Sequence, residues 1–273
     1  MLTRLAIGAL LLTPVCAWGQ QAAARATAAP SMPSTLPKSG PELVKVISGS
    51  YYHPDNLELM ECDVKVDWDA FFRAMKLEVP AARMQVLKGM TLHERAVRGK
   101  PVEMKFSWAN GEPANGERME SGLQQMVNGF YQMYWPMMAG PLLGPADKLE
   151  GIVSLPDGGA KLTASSAATK MHIVVDHDGV PTHYDYELGA MRGTGDFRYV
   201  PSPHPAPADL RRIADMTMDE QVGESSFKLD VKLDYQDVGG FSIPQHVTNA
   251  VVGAYTFVLT FSNCKASTVA VSQ

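Results

Sequence analysis

The chain of 273 residues is short of most of the features that announce a function. Its three cysteines are too few for a disulfide-dense scaffold or a four-thiolate metal site. No uninterrupted apolar run approaches the ~18 residues of a membrane-spanning helix, which excludes a helical multi-span protein. Nor is there an excess of positive charge. Lys and Arg number 24 against 29 Asp and Glu, a formal net charge of −5 that leaves no electrostatic footprint for nucleic acid or an anionic surface. With 45% apolar and 19% charged residues, the chain has the balance of a folded globular protein, not a disordered one.

Catalytic signatures are missing as well. Leu92, His93 and Glu94 open like the helix of a zinc protease, but Val97 stands where the second histidine would have to be, and the metal loses a ligand. Gly223, Glu224, Ser225 and Ser226 lack the closing glycine of a nucleophile elbow, and Phe227 begins a strand pattern. Ser165 and Ser166 stand five and four residues before Lys170, outside the Ser-x-x-Lys spacing, and no glycine-rich phosphate loop precedes a helix. His172, His177 and His183 form the one histidine cluster worth testing. A hairpin centred on His177 and Asp178 would set His172 opposite His183, but two imidazoles make a thin metal site. No catalytic residue, metal or cofactor is therefore assigned.

The N-terminus reads as an export signal over residues 1–19. Arg4 gives the positive start, residues 5–12 the apolar core, and Ala17 and Gly19 the small residues that a signal peptidase recognises. Eight residues at ~1.5 Å each reach only about 12 Å into a ~30 Å bilayer core, which argues against an anchor. Thr13, Pro14 and Val15 before Cys16 are a poor match to a lipoprotein-processing site. Residues 20–35, rich in Ala, Pro, Ser and Thr, read as a disordered tether, and residues 36–273 as a single domain in the periplasm or outside the cell.

Export changes the meaning of Cys62 and Cys264, which are expected to bond in an oxidising compartment. Cys62 lies on the apolar face of a strand with Met60, Val64 and Val66. Strict alternation places Cys264 on the face opposite Tyr255 and Phe257, so a bond requires a twist or bulge near the end of its strand. Two separate buried thiols are the alternative.

Hydrophobic periodicity gives a short helix over residues 41–48, a helical turn over 69–76 and strands over 60–68 and 101–108. The clearest helix covers residues 117–135. Met119, Leu123, Met126, Phe130, Met133 and Met137 follow at steps of four and three, one continuous stripe, and these six are the expected ligand-binding residues. From residue 149 onward strands and tight turns prevail, with a hairpin at Asp176–Gly179, an extended proline loop over 201–207 and a helical turn over 209–215. Trp68, Phe106, Leu229, Val231 and Leu233 are expected in one core under the sheet.

The early helix, the antiparallel run and the late segment from Tyr235 through Gly239, Gly240 and Pro244 to Val247 together resemble the outer-membrane lipoprotein carrier fold of periplasmic lipoprotein- and lipid-binding proteins. The resemblance spans residues 36–264 and implies a strongly bent sheet closed by helices around an apolar cavity. The expected fold class is accordingly α+β, a curved, largely antiparallel sheet forming an incomplete barrel covered by helices. The expected function is that of an exported, non-catalytic binding or carrier protein for an apolar ligand, a lipid or acyl chain; thioether side chains adapt to variable apolar partners. The alternative is a structural or interaction module of the cell envelope with a solid core and a protein partner.

Overall fold

The structure, a computed structural model, describes residues 36–37, 39–143, 147–166, 169–201 and 210–268. The leader and tether read from residues 1–35, and most of the proline loop, lie outside them. The element order is α1 (Gly40–Ser50), β1 (Leu59–Val66), α2 (Trp68–Ala74), α3 (Ala81–Lys88), β2 (Met90–Val97), β3 (Glu103–Trp108) and α4 (Gly116–Met137). Nine strands follow: β4 (Lys148–Ser154), β5 (Ala160–Ser165), β6 (Thr169–Val175), β7 (Pro181–Leu188), β8 (Met191–Pro201), β9 (Arg211–Val222), β10 (Ser225–Val238), β11 (Phe241–Val251) and β12 (Tyr255–Ser267). All twelve strands form one sheet in the order β3-β2-β1-β12-β11-β10-β9-β8-β7-β6-β5-β4. Every pairing between these strands is antiparallel.

This corrects the expected helix-covered α+β barrel. The described residues are 51% strand and 22% helix, the sheet is not closed, and the four helices do not cover it. The reason is dimensional. Twelve strands ~4.8 Å apart span about 53 Å, whereas a helix of 22 residues is about 33 Å long and ~10 Å wide. Side chains of α1 and α4 join one apolar cluster with one face of the sheet, and that face continues past them. Trp68, Val231 and Leu233 are buried in this cluster, with Phe106 and Leu229 half-buried against it, as their alternation with polar neighbours requires.

Periodicity conceals the strands β8 and β9. Residues 209–215, expected as a helical turn, instead lead into β9, in which Ile213 and Met216, three apart, are both buried. In the structure Arg198 pairs with Asp215 and Tyr199 with Ile213; the skipped residue shifts the alternation and puts Ile213 and Met216 on the same face. In β8 the inward positions include Gly193 and Gly195, which carry no apolar side chain to reveal a strand. Tyr184 and Tyr186 of β7 lie over them, and a Cβ on Gly195 would stand 2.8 Å from the Tyr184 ring and 2.5 Å from the Thr217 carbonyl oxygen.

Cys62 and Cys264 are bonded across the β1–β12 seam, with Cα atoms 4.2 Å apart. The phase objection is met by a bulge. Glu61 pairs with Lys265 and Asp63 with Ser262, so Cys62 faces two residues of β12, and Asn263 takes the extra step with φ of 51°. That step turns Cys264 toward Cys62.

Candidate functional site

Three regions bear on function: the α4 side of the core, the uncovered end of the apolar face, and the histidines of β6 and β7. Helix α4 forms where the 4-3-4-3 spacing places it, and Pro136 falls in its last turn. Its buried residues include Leu123, Val127, Phe130, Tyr131, Tyr134 and Trp135. Of the six expected ligand-binding residues, Leu123 and Phe130 lie on this face and Met119, Met126, Met133 and Met137 are half-buried beside it. At about 100° per residue the buried face is centred roughly a quarter-turn from the methionines, because Val127, Tyr131 and Tyr134 extend it on one side only. Phe130 reaches Phe261 of β12, ring centroids 6.0 Å apart. The methionines are therefore the flank of the helix contact, not its centre.

Beneath Tyr131 lies a group that periodicity alone passed over. Residues 90–97 form a strand, not the protease-like helix, and Glu94 points from it into the core, fully buried. Its neighbours in register are Cys62 on β1 and Met104 on β3. The Tyr131 hydroxyl donates to Glu94 Oε1, while Oε2 has no hydrogen-bond partner among the described residues. Burial pushes the Glu94 carboxyl up to about 8, opposed only in part by the Tyr131 hydrogen bond. The signal for it was available: an acidic residue at an inward position between Leu92 and Ala96.

The second region is the end of the sheet from which α4 departs β3; the Trp108 indole N–H there donates to Glu120 Oε1 at 2.8 Å. The β7–β8, β9–β10 and β11–β12 turns lie at the same end. Leu188, Met191 and Val222 are in register across β7, β8 and β9, on the face that carries Met218 and Met216. Here that face meets solvent: Leu188 is 40% exposed, Val222 45% and Phe227 37%, with Val252 at 54% in the next turn. Beyond it Tyr255 and Phe257 of β12 meet Phe71 of α2, the Phe71 and Phe257 centroids 4.6 Å apart. Across six strands this apolar margin is about 24 Å wide.

In the third region the expected opposition of His172 and His183 does not occur. Val174 pairs with His183 and His172 with Asp185, because the turn centres on Asp178, with Val175 opposite Pro181, and the ladder shifts by one more residue between Val174 and Val175. His183 Nδ1 lies 2.8 Å from Asp196 Oδ1, and its Nε2 lies 3.2 Å from both Asp185 Oδ1 and Thr194 Oγ1. Both ring nitrogens are engaged, and the described residues hold no group of three or more His, Cys, Asp or Glu suited to a metal ion. A cleft of about 410 Å³ opens beside them, lined by His172, Asp185, Arg192, Thr194 and Asp219 among others, and another of about 550 Å³ by Asp176, Phe197, Tyr199 and Arg211 among others. Neither lining includes a residue of α4.

No family model matches the chain, and no curated protein matches it. Among the described residues no helix is long and apolar enough to cross a membrane.

Proposed function

We propose that this protein is a non-catalytic binding protein of an oxidising compartment outside the cytoplasm, and that it takes a lipid or acyl chain along the uncovered apolar margin at the β7–β8, β9–β10 and β11–β12 turns. The observation that carries the reading is that margin. Leu188, Val222, Phe227 and Val252 hold large apolar side chains in water at neighbouring turns, where a surface with no partner would favour polar residues. The half-buried methionines of α4 support it as adaptable apolar surface, and the Cys62–Cys264 bond supports the compartment. Phe130 against Phe261 favours the second reading, an envelope interaction module whose core is solid, in which the same margin meets a protein.

The two readings part on a titration with an acyl-chain fluorophore. The protein lacking residues 1–19 is expected to bind the probe, and Phe227→Asp to weaken binding at least tenfold with an unchanged melting midpoint. A probe that never binds the unsubstituted protein overturns the lipid reading and leaves the interaction module.

A further inference from the structure

Glu94 is the one fully buried carboxylate of the described core, and a salt bridge does not account for it. Its position is specific. It stands on β2, and its hydrogen bond from Tyr131, in the C-terminal half of α4, joins the helix to the sheet. The groups around it are named by the register. On α4 the group facing it is Tyr131, held well above the usual phenol range by burial and raised further by Glu94; Tyr134, one turn on and also raised by burial, answers to Tyr235, Tyr52 and Arg98 instead. On β1 the neighbour is Cys62, which is bonded to Cys264 of β12 and has no proton to exchange. On β3 it is Met104. Arg98 bears on Tyr134, but its guanidinium donates to the carbonyls of Pro54, Leu57 and Ala139. A carboxylate formed at Glu94 would therefore have one hydroxyl to receive it and an oxygen with nothing.

We propose that the Glu94 carboxyl is a proton-operated latch: protonated, it stays buried between β2 and α4, and on losing its proton it must reach water, because the one hydrogen bond from Tyr131 leaves its second oxygen unpaired, so α4 loosens and bares the apolar surface beneath. That the bared surface admits ligand rests on the binding reading above; the latch itself does not. The charged form is stable only where water reaches it, so proton loss and lifting of α4 are coupled. In the opened state the carboxyl titrates near its ordinary value of 4.5, and in the closed state near 8. Opening is thus favoured about tenfold per pH unit between these values and levels off above the higher one.

Hydrogen exchange read by mass spectrometry on the protein lacking residues 1–19, from pH 5 to pH 9 and corrected for intrinsic exchange, tests this. Amides of α4 are expected to exchange ahead of those in β10 and β11, with an opening equilibrium that rises about tenfold per pH unit up to about pH 8. In Glu94→Gln the dependence vanishes. An infrared band of a protonated carboxyl at neutral pH, lost in Glu94→Gln, is the second measurement and requires no movement of α4. Exchange of α4 only together with β10 and β11, an unaltered slope in Glu94→Gln, or the lack of that band overturns the latch. Acyl-probe binding on the same samples separates the two proposals. Opening without binding overturns the ligand reading alone, and binding without opening overturns the latch alone.

Discussion

Replacing Glu94 with glutamine removes a buried ionisation while keeping the shape of the side chain and an oxygen for the Tyr131 hydroxyl. The structure sets the size of the effect. Unfolded, the carboxyl titrates near 4.5; folded, burial holds it up to about 8. The folded state thus retains a proton that the unfolded state releases, and stability falls as pH rises between those values. The stabilisation is complete below pH 4.5, decreases by about 1.4 kcal/mol per unit, and is lost by about pH 8. From pH 4.5 to pH 7 this amounts to about 3 kcal/mol, a large share of the 5–15 kcal/mol typical of a domain. Glutamine has no such dependence. Urea denaturation followed by circular dichroism at pH 5, 6, 7 and 8 is the assay, with the difference between variant and parent as the readout. Any constant penalty for the amide cancels in that difference, which is expected to grow in favour of Glu94→Gln by about 1.4 kcal/mol per unit. A difference that stays flat across this range, with unchanged m-values, refutes the reasoning.

Other outcomes follow from the packing. The protein lacking residues 1–19 is expected to show no reactive thiol before reduction, and Cys62→Ala to lose up to about 5 kcal/mol, the chain-entropy limit for a separation of 202 residues. Gly195→Ala is expected to lower the melting midpoint by several degrees, since the new methyl meets both the Thr217 carbonyl and the Tyr184 ring; an unchanged midpoint would show that the ring yields freely. Leu92→Ala, at a fully buried site, is expected to cost about 2–5 kcal/mol, and Leu229→Ala, half-buried near the uncovered end, less than half as much. Equal costs in urea titrations would contradict the exposure of that end.

The α4 stripe and the strands around Cys62 and Val231 were legible because their periods, 3.6 and 2, are properties of the backbone that any buried face must follow. The late strand β10 shows this best, since each inward Leu or Val is followed by Lys or Asp. The disulfide was legible from composition and the expected export signal, though its geometry was not. The bulge at Asn263 that turns Cys264 inward adds one residue and leaves no mark in a pattern of alternation. The same failure hid β9, where a skipped residue put Ile213 and Met216 on one face, and it supplied one of the two positions by which the expected histidine pair is displaced, the other being a turn centred on Asp178.

What the residues determined alone is local: where helices and strands lie, which side of each is apolar, and that two thiols were left to pair. Tertiary structure decided how far the helices reach across the sheet, because coverage depends on the width of twelve strands against the length of one helix, and no segment encodes that ratio. It decided that Glu94 is a buried acid bonded to Tyr131, which lies 37 positions away on another element. It also decided that Leu188, Val222, Phe227 and Val252 share one exposed margin. Each is an ordinary end-of-strand or turn residue in its own stretch of chain. They meet only because antiparallel strands return every second turn to the same end of the sheet.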